Sequence, residues 1–181
     1  MKFDSIIKNG TVVFPFHGEV KCEIAIKDGK IASISDSIDS NQADEIVDAS
    51  GKYVFPAAVD SHYHVGIYRP HSEDAESESR TALVGGVGTV ISYFRTGHHY
   101  LNKTGLYKDI FPEVLELSKG HFYTDYAYHI APMATPQLDE IDWLVENAGV
   151  GSFKFYMFYK ALTLSADSTK GSDYTMAENY D

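Results

Sequence analysis

The stretch YVFPAAVDSHYH, residues 53–64, begins the alternating pattern that decides the fold. Its apolar part is typical of a buried strand, and SEDAESESRTALVGG at 72–86 follows it as a helix. The pattern continues with strands at 88–94, 123–131 and 150–159 and with helices around 108–120 and at 135–149. Repeated βα units of this kind predict a parallel sheet covered by helices, either open or closed into a barrel.

Polar and proline residues predict where the helices begin. Ser72 is placed to cap the first helix, and Thr135 to cap the third, with Pro136 in its first helical position. Pro112 is tolerable only near the first turn of the second helix. The apolar stripe of the third helix ends at Gly149.

The first part of the chain has a different pattern, of short β-branched runs without helices. SIIKNGTVV (5–13) and CEIAIKDGKIASIS (22–35) are such runs, and Asp28-Gly29 predicts a tight hairpin turn. The sequence therefore predicts a small β unit over residues 1–52, followed by βα units over 53–181.

Composition excludes several classes of function. The 181-residue chain has a formal net charge of −11, which argues against nucleic acids and anionic membranes as partners. Cys22 is the single cysteine, so no internal disulfide can form. No run has the length of a membrane span, and the amino terminus lacks the apolar segment of a signal peptide. These features predict a soluble cytoplasmic protein.

Two histidines follow the strand that opens the βα pattern. His62 and His64 are two residues apart, so on a strand their side chains point to the same face. They lie at the carboxyl end of that strand, where parallel α/β folds build their sites. Imidazole suits zinc and similar cations, although a His-x-His pair also arises by chance on surfaces and in cores.

A lysine in an aromatic run is the second unusual feature. Lys154 lies within SFKFYMFYK, residues 152–160. Its ammonium either reaches water at the strand end or is desolvated, which lowers its pKa. A neutral lysine amine can take up CO₂, and the carbamate that results can bridge two cations.

Long stretches of the chain resemble the hydantoinase/dihydropyrimidinase branch of the amidohydrolase superfamily. The resemblance is carried by PAAVDSHYHVG (56–66), DAESESRTALVGGVGTVISYF (74–94), the segment from Asp125 to Lys160 and the amino-terminal runs, and it covers essentially the whole chain in register. It implies a (β/α)8 TIM-type barrel preceded by part of a small β-sandwich. The enzymes of this family hydrolyse C–N bonds of cyclic amides, and an allantoinase or dihydroorotase type and a non-catalytic scaffold of the same fold are the alternatives.

The resemblance also implies the roles of several residues. His62 and His64 match ligands of the more buried metal, and Lys154 matches the carboxylated lysine that bridges two divalent cations, zinc being expected. Tyr159 matches a catalytic tyrosine that contacts the substrate carbonyl and stabilises the oxyanion. The attacking group in the family is a metal-bridging hydroxide, and the substrate is a small cyclic amide such as a hydantoin or a dihydropyrimidine.

Two loops are expected to lie over such a site and to influence specificity. GIYRPHSEDAES (66–77) carries Arg69 and His71, and RTGHHYLNKTGLYKD (95–109) carries Arg95 and His98. An arginine there would suit a carboxylate or an imide oxygen, although a solvated loop arginine is the simpler reading.

The chain is shorter than the fold that it resembles. A (β/α)8 barrel needs roughly 200 to 250 residues, and about 130 remain after the β unit. The sequence therefore predicts the amino-terminal half of a barrel with four βα units, inactive and poorly soluble by itself. The complete protein is expected to form a dimer or a tetramer and to supply its remaining ligands and general acid/base from later strands.

Overall fold

A computed structural model describes residues 2–97 and 99–155 of the chain. The chain divides into two compact units, one ending at Pro56 and the other starting at Ala57. The sequence places this division after residue 52. The difference arises because the short strand Tyr53–Val54 pairs in parallel with Thr11–Phe14 and so belongs to the first unit.

The first unit consists of seven strands in two sheets. They are β1 (Phe3–Lys8), β2 (Thr11–Phe14), β3 (Gly18–Lys21), β4 (Glu23–Lys27), β5 (Lys30–Ser35), β6 (Ala43–Asp48) and β7 (Tyr53–Val54). One sheet has the order β5-β4-β1-β6 and the other β3-β2-β7. The hairpin between β4 and β5 is confirmed, and its turn residues Asp28 and Gly29 have φ of 51° and 70°, as a tight turn of this type requires.

The second unit alternates strands and helices. Its elements are β8 (Ala58–Tyr63), α1 (His71–Val84), β9 (Val87–Phe94), α2 (Tyr107–Ser118), β10 (Asp125–Ile130), a 3₁₀ turn (Thr135–Glu140) and α3 (Ile141–Ala148). The strands pair in parallel in the order β10-β9-β8. Beyond α3, Phe153 forms a parallel bridge with Ile130. The predicted mixed α/β architecture is confirmed, and its closure into a barrel remains a prediction.

Each of the three helices differs from the sequence prediction, α1 and α3 at their starts and α2 in its interior. α1 begins at His71, directly after a proline, so Ser72 lies inside the helix and does not cap it. Pro112 lies in the second turn of α2, where packing of the helix on the core outweighs the missing N–H. The segment Thr135–Glu140 is a 3₁₀ turn and the α-helix starts only at Ile141, whereas the predicted end at Gly149 is confirmed.

The main core of the second unit lies between the sheet and α2. Side chains alternate along β9 and β10, and Phe94, Tyr128 and Ile130 face the helix. Phe111 of α2 meets Phe94 and Tyr128 with ring centroids 6.1 Å and 5.6 Å apart. The opposite face of β9 carries Ile91 and Tyr93. Among the residues described, no helix is long and apolar enough to cross a membrane.

A buried glutamine connects the ends of two loops. Gln137 is fully buried, and its side-chain oxygen accepts hydrogen bonds from the backbone N–H groups of Met133 (2.7 Å) and Ala134 (3.2 Å). Its amide nitrogen donates to Thr96 Oγ1 (2.9 Å) and to the Gly105 carbonyl (2.7 Å). Gln137 therefore holds together both ends of the loop 96–105 that follows β9.

The start of α2 is fixed by a second buried group. The Glu140 carboxylate accepts hydrogen bonds from the N–H groups of Tyr107 (2.6 Å) and Lys108 (3.0 Å), which supplies the N-terminal cap that α2 lacks locally. The Tyr107 hydroxyl donates to the Ala131 carbonyl and accepts from the Thr96 N–H (3.3 Å). The segment that follows β10 thus positions the loop between β9 and α2.

We expect Gln137→Leu to lower the free energy of unfolding of the full-length protein by about 3 kcal/mol or more. The substitution keeps the side-chain volume but leaves buried donors and acceptors unpaired, at about 1–3 kcal/mol for each group. Thermal unfolding followed by circular dichroism measures the effect. Gln42→Leu, at an exposed glutamine, is the matched control; equal melting temperatures for the two variants would contradict this role for Gln137.

Candidate metal centre

His62 and His64 lie side by side at the carboxyl end of β8. Their rings are stacked, with centroids 5.3 Å apart and an interplanar angle of 30°. His62 is exposed and His64 is partly buried. The regular pairing of β8 with β9 is interrupted between Asp60 and Tyr63, and the His62 N–H turns to Asp60 Oδ1 at 3.0 Å. Both imidazoles therefore face the same side, as the two-residue spacing predicts.

Backbone pairing with β10 carries Lys154 to the same place. The Lys154 N–H donates to the Ile130 carbonyl (2.9 Å), and the Ile130 N–H donates to the Ser152 carbonyl (3.3 Å). Lys154 Nζ then lies 3.2 Å from His62 Nε2, although the two residues are 92 positions apart in the chain. The ammonium group also lies 3.9 Å from the centroid of the Tyr93 ring.

The surroundings favour the neutral forms of two of these groups. Burial lowers the pKa of Lys154. Burial also lowers the pKa of His64, to about 4, and the nearby charges of Lys154 and His62 lower it further. A neutral imidazole has a lone pair for a metal ion, and a neutral amine can act as a nucleophile. Burial thus shifts both groups toward the neutral forms that carry a lone pair.

His129 supports the pocket, and both of its ring nitrogens make hydrogen bonds. Its Nε2 lies 3.0 Å from the Ser61 carbonyl, and its Nδ1 bonds the Ser152 hydroxyl. Because a carbonyl oxygen only accepts, Nε2 carries the proton and Nδ1 accepts from Ser152. His129 therefore connects β10 to β8 and to the segment of Lys154.

The cleft formed by these groups has a volume of about 310 Å³. Its lining combines polar groups of β8 with the aromatic face of β9 and the segment after α3. The residues around it are Ser61, His62, Tyr63, Ile91, Tyr93, His129, Phe153, Lys154 and Phe155.

Arg69 and Arg95, two of the loop residues singled out in the sequence, do not line this cleft. Arg69 is exposed and contacts Ser77 Oγ at 3.4 Å. Arg95 is buried, donates to the Thr96 carbonyl (3.0 Å) and lies 5.0 Å from the centroid of the Tyr100 ring. Arg95 is therefore held against the loop itself and does not project over the cleft.

His71 is not a loop residue. It is the first residue of α1 and is 4 % exposed, and its Nε2 contacts Ser118 Oγ (3.0 Å) and the Tyr128 hydroxyl (2.8 Å). The sequence places it over the site because the chain after β8 looks like a longer loop. The structure instead makes it a packing residue between α1, α2 and β10.

Two residues proposed from the sequence, His98 and Tyr159, lie outside the described residues. Tyr93 lines the site, although it is not among the residues predicted from the sequence. Alternation along β9 puts Tyr93 on the face opposite the buried Ser92 and Phe94, at the carboxyl end of the strand. That pattern is visible in the sequence.

The donor set fits a divalent cation. Two imidazoles are ligands typical of zinc and related metals, and a lysine nitrogen lies beside them. Among residues 2–97 and 99–155, no three His, Cys, Asp or Glu side chains are grouped closely enough to hold a metal. His62, His64 and Lys154 therefore offer a partial ligand set within the part of the chain that is described.

The chain is similar to cyclic amidohydrolases along most of its length. It is 32 % identical over 169 residues to a D-hydantoinase of Geobacillus stearothermophilus, an alignment that covers 91 % of this chain and 34 % of that enzyme. It is 43 % identical over 95 residues to an allantoinase of Bacillus licheniformis, covering 50 % of this chain and 20 % of the relative.

Solved structures agree with the sequence comparison. The L-hydantoinase (dihydropyrimidinase) of Arthrobacter aurescens matches with a TM-score of 0.71 and 28 % identity, over 96 % of this chain and 36 % of that one. No protein-family model matches the chain. The chain thus spans about a third of the length of the relatives that it matches along nearly its whole extent.

We expect Lys154→Met to raise the pKa of His64 from about 4. The substitution removes a positive charge that disfavours the imidazolium, while burial, the larger cause, remains and keeps the pKa below its ordinary value of 6.5. NMR titration of histidine-labelled, chelator-treated full-length protein measures the shift. Lys119→Met, at the exposed end of α2, is the control; an unchanged or lower His64 pKa in Lys154→Met would contradict the expected coupling.

Proposed function

We propose, because this chain belongs to the hydantoinase/dihydropyrimidinase family of amidohydrolases, that the protein hydrolyses a C–N bond of a cyclic amide or imide at a metal centre. The observation that carries the proposal is the approach of Lys154 Nζ to His62 Nε2, at 3.2 Å, beside a second imidazole at the carboxyl end of a parallel sheet. Hydantoins and dihydropyrimidines are the substrates that the relatives' names suggest.

The proposed centre holds two divalent cations, with zinc as the expected metal. His62 and His64 would bind one of them, and Lys154 would bridge both as a carbamate. The carbamate forms when the neutral Nζ lone pair attacks the carbon of CO₂, a new N–C bond forms, and one N–H proton passes to solvent. Burial of Lys154 supports this step because it increases the fraction of neutral amine.

The metal pair, when bound, would lower the pKa of water and polarise the amide carbonyl of the substrate. The residues of this chain orient that chemistry. His62 and His64 lie with their rings stacked at the end of β8. His129 of β10 donates a hydrogen bond across β9 to the Ser61 carbonyl of β8. Tyr159, which is outside the described residues, is proposed to donate a hydrogen bond to the substrate carbonyl and to stabilise the developing oxyanion.

We propose that the remaining ligands and the general acid/base come from polypeptide outside these 181 residues. The chain spans about a third of the relatives' length, and its described residues offer only a partial ligand set. Exposure of apolar residues on β8 agrees with this, since Val59 is 62 % exposed. Assembly into a dimer or tetramer and a cytoplasmic location remain predictions.

Two alternative functions remain open to experiment. An allantoinase-type activity is favoured by the higher identity to the Bacillus licheniformis enzyme, although that match covers only half of the chain. A non-catalytic scaffold of the same fold is disfavoured, because relatives that lose catalysis are expected to lose ligands and this chain keeps His62, His64 and Lys154.

We expect Lys154→Ala to remove most of the metal bound to the full-length protein, because the variant lacks the bridging anion. Lys154→Arg should behave in the same way, since a guanidinium cannot form the carbamate. Metal content by plasma mass spectrometry after desalting measures the loss, with Lys119→Ala as the control. Two equivalents of metal retained in both Lys154 variants would contradict the assignment.

We expect the full-length protein to open the ring of a 5-substituted hydantoin or of dihydrouracil, consuming one water and releasing an N-carbamoyl amino acid. Chromatography of products from parallel reactions with hydantoin, dihydrouracil, allantoin and dihydroorotate measures this activity. The 181-residue chain alone should aggregate and show no turnover, because an incomplete barrel would leave apolar strand edges without partners.

The outcomes separate the alternatives. Preference for allantoin or dihydroorotate would favour the second type of enzyme, and metal binding without any turnover would favour the scaffold. Turnover by the isolated, monodisperse chain would contradict the proposal that ligands come from outside it.

A further inference from the structure

We propose that Tyr100 is a positioning residue that holds the His64 ring with its Nδ1 protonated, so that Nε2 stays available for a metal ion. The inference rests on the proposed metal-dependent function and adds to it a residue that belongs to neither the ligand set nor the substrate pocket.

The contact joins the Tyr100 hydroxyl to the ring of His64. Tyr100 Oη lies 3.4 Å from His64 Nδ1, at the long end of the hydrogen-bond range. The other side of the imidazole meets the Tyr93 ring edge-on, with centroids 4.4 Å apart. A neutral imidazole carries one proton, so a proton on Nδ1 that is donated to Tyr100 leaves the Nε2 lone pair unprotonated.

The surroundings of Tyr100 favour its acting as the acceptor in this contact. Tyr100 is 2 % exposed, and its ring packs on those of Tyr93 and Phe94 with centroids 5.2 Å and 6.0 Å apart. The Tyr100 side chain also hydrogen-bonds to the side chain of Tyr93. A hydroxyl that donates to Tyr93 keeps its lone pairs for His64.

The backbone on both sides of Tyr100 is strained. His99, Leu101 and Asn102 have φ of 79°, 59° and 51°, a left-handed region that residues with a side chain rarely adopt. Strain of this kind persists only when the surrounding structure enforces it, and it is concentrated at functional sites.

The loop is held at its base, which explains how the strain persists. The Gly97 N–H donates to the Lys103 carbonyl at 2.7 Å and closes the loop. Gln137 binds Thr96 and Gly105 on either side of that closure. The buried side chain of Tyr100, near the tip of this loop, reaches His64.

The test is Tyr100→Phe in the full-length protein, which keeps the packed ring and removes only the hydroxyl. We expect zinc affinity, measured by competition with a chromogenic chelator, to fall about tenfold. In chelator-treated protein, ¹⁵N chemical shifts of His64 should move toward the tautomer protonated at Nε2. A purely structural role for Tyr100 would not move the tautomer.

Tyr126→Phe is the matched control, because Tyr126 lies on β10 and stacks on Phe122, with ring centroids 4.3 Å apart. It should leave both zinc affinity and the His64 tautomer unchanged. Tyr93→Phe, which removes the acceptor of the Tyr100 proton and keeps the ring, should shift the tautomer in the same direction as Tyr100→Phe. This second variant tests the inference even if Tyr100→Phe does not fold.

The results distinguish this inference from the proposed function. A wild-type protein that binds no zinc would overturn the proposed function. A wild-type protein that binds zinc, with Tyr100→Phe unchanged in affinity and in tautomer, would overturn only the role of Tyr100.

Discussion

Parallel pairing of the strands that start the βα units is the constraint on which the candidate site depends. Parallel strands end at the same edge of a sheet, so β8 delivers its two histidines to the edge where β10 ends. The bridge between Ile130 and Phe153 extends this pairing by one step and brings Lys154 to the same edge. The helices matter to the site mainly because they bury the other face of the sheet.

Electrostatics and packing act in the same direction at this edge. Placing a lysine beside two imidazoles would be costly if all three were charged, because like charges in a partly buried pocket repel. The cost is reduced when the groups are neutral, and burial lowers the pKa of both His64 and Lys154. The Tyr93 ring also receives the Lys154 nitrogen on its face. The same neutral forms are those that bind metal or react with CO₂.

Much of this arrangement can be predicted from the sequence, for physical reasons that concern local patterns. The spacing of two residues puts His62 and His64 on one face, and the alternation of strands and helices places them at a sheet edge. Alternation along β9 also places Tyr93 on the face of the site. A tyrosine on a strand more often packs in a core than takes part in a functional site, so the pattern alone does not single it out. The patterns fail where a residue is fixed by distant partners.

Three residues illustrate that failure. His71 follows a proline and looks like a loop residue, but Ser118 and Tyr128, which are far away in sequence, bury it at the start of α1. Pro112 is tolerated within α2 because the core holds that helix in place. Gln137 lies close in sequence to two of its partners, Met133 and Ala134, but its contacts with Thr96 and Gly105, 41 and 32 residues away, carry no local signal.

The two imidazoles of the site are oriented by different partners toward the same chemical result. Lys154 Nζ lies beside His62 Nε2, and an amine that donates there requires an unprotonated Nε2 and therefore a proton on Nδ1 of His62. Tyr100 favours the same tautomer of His64 when it accepts from Nδ1. One partner is a prospective ligand and the other comes from a strained loop held by Gln137. Under the proposed metal-dependent function, both histidines would thus present Nε2 to the cation, in tautomers that their neighbours in the fold favour.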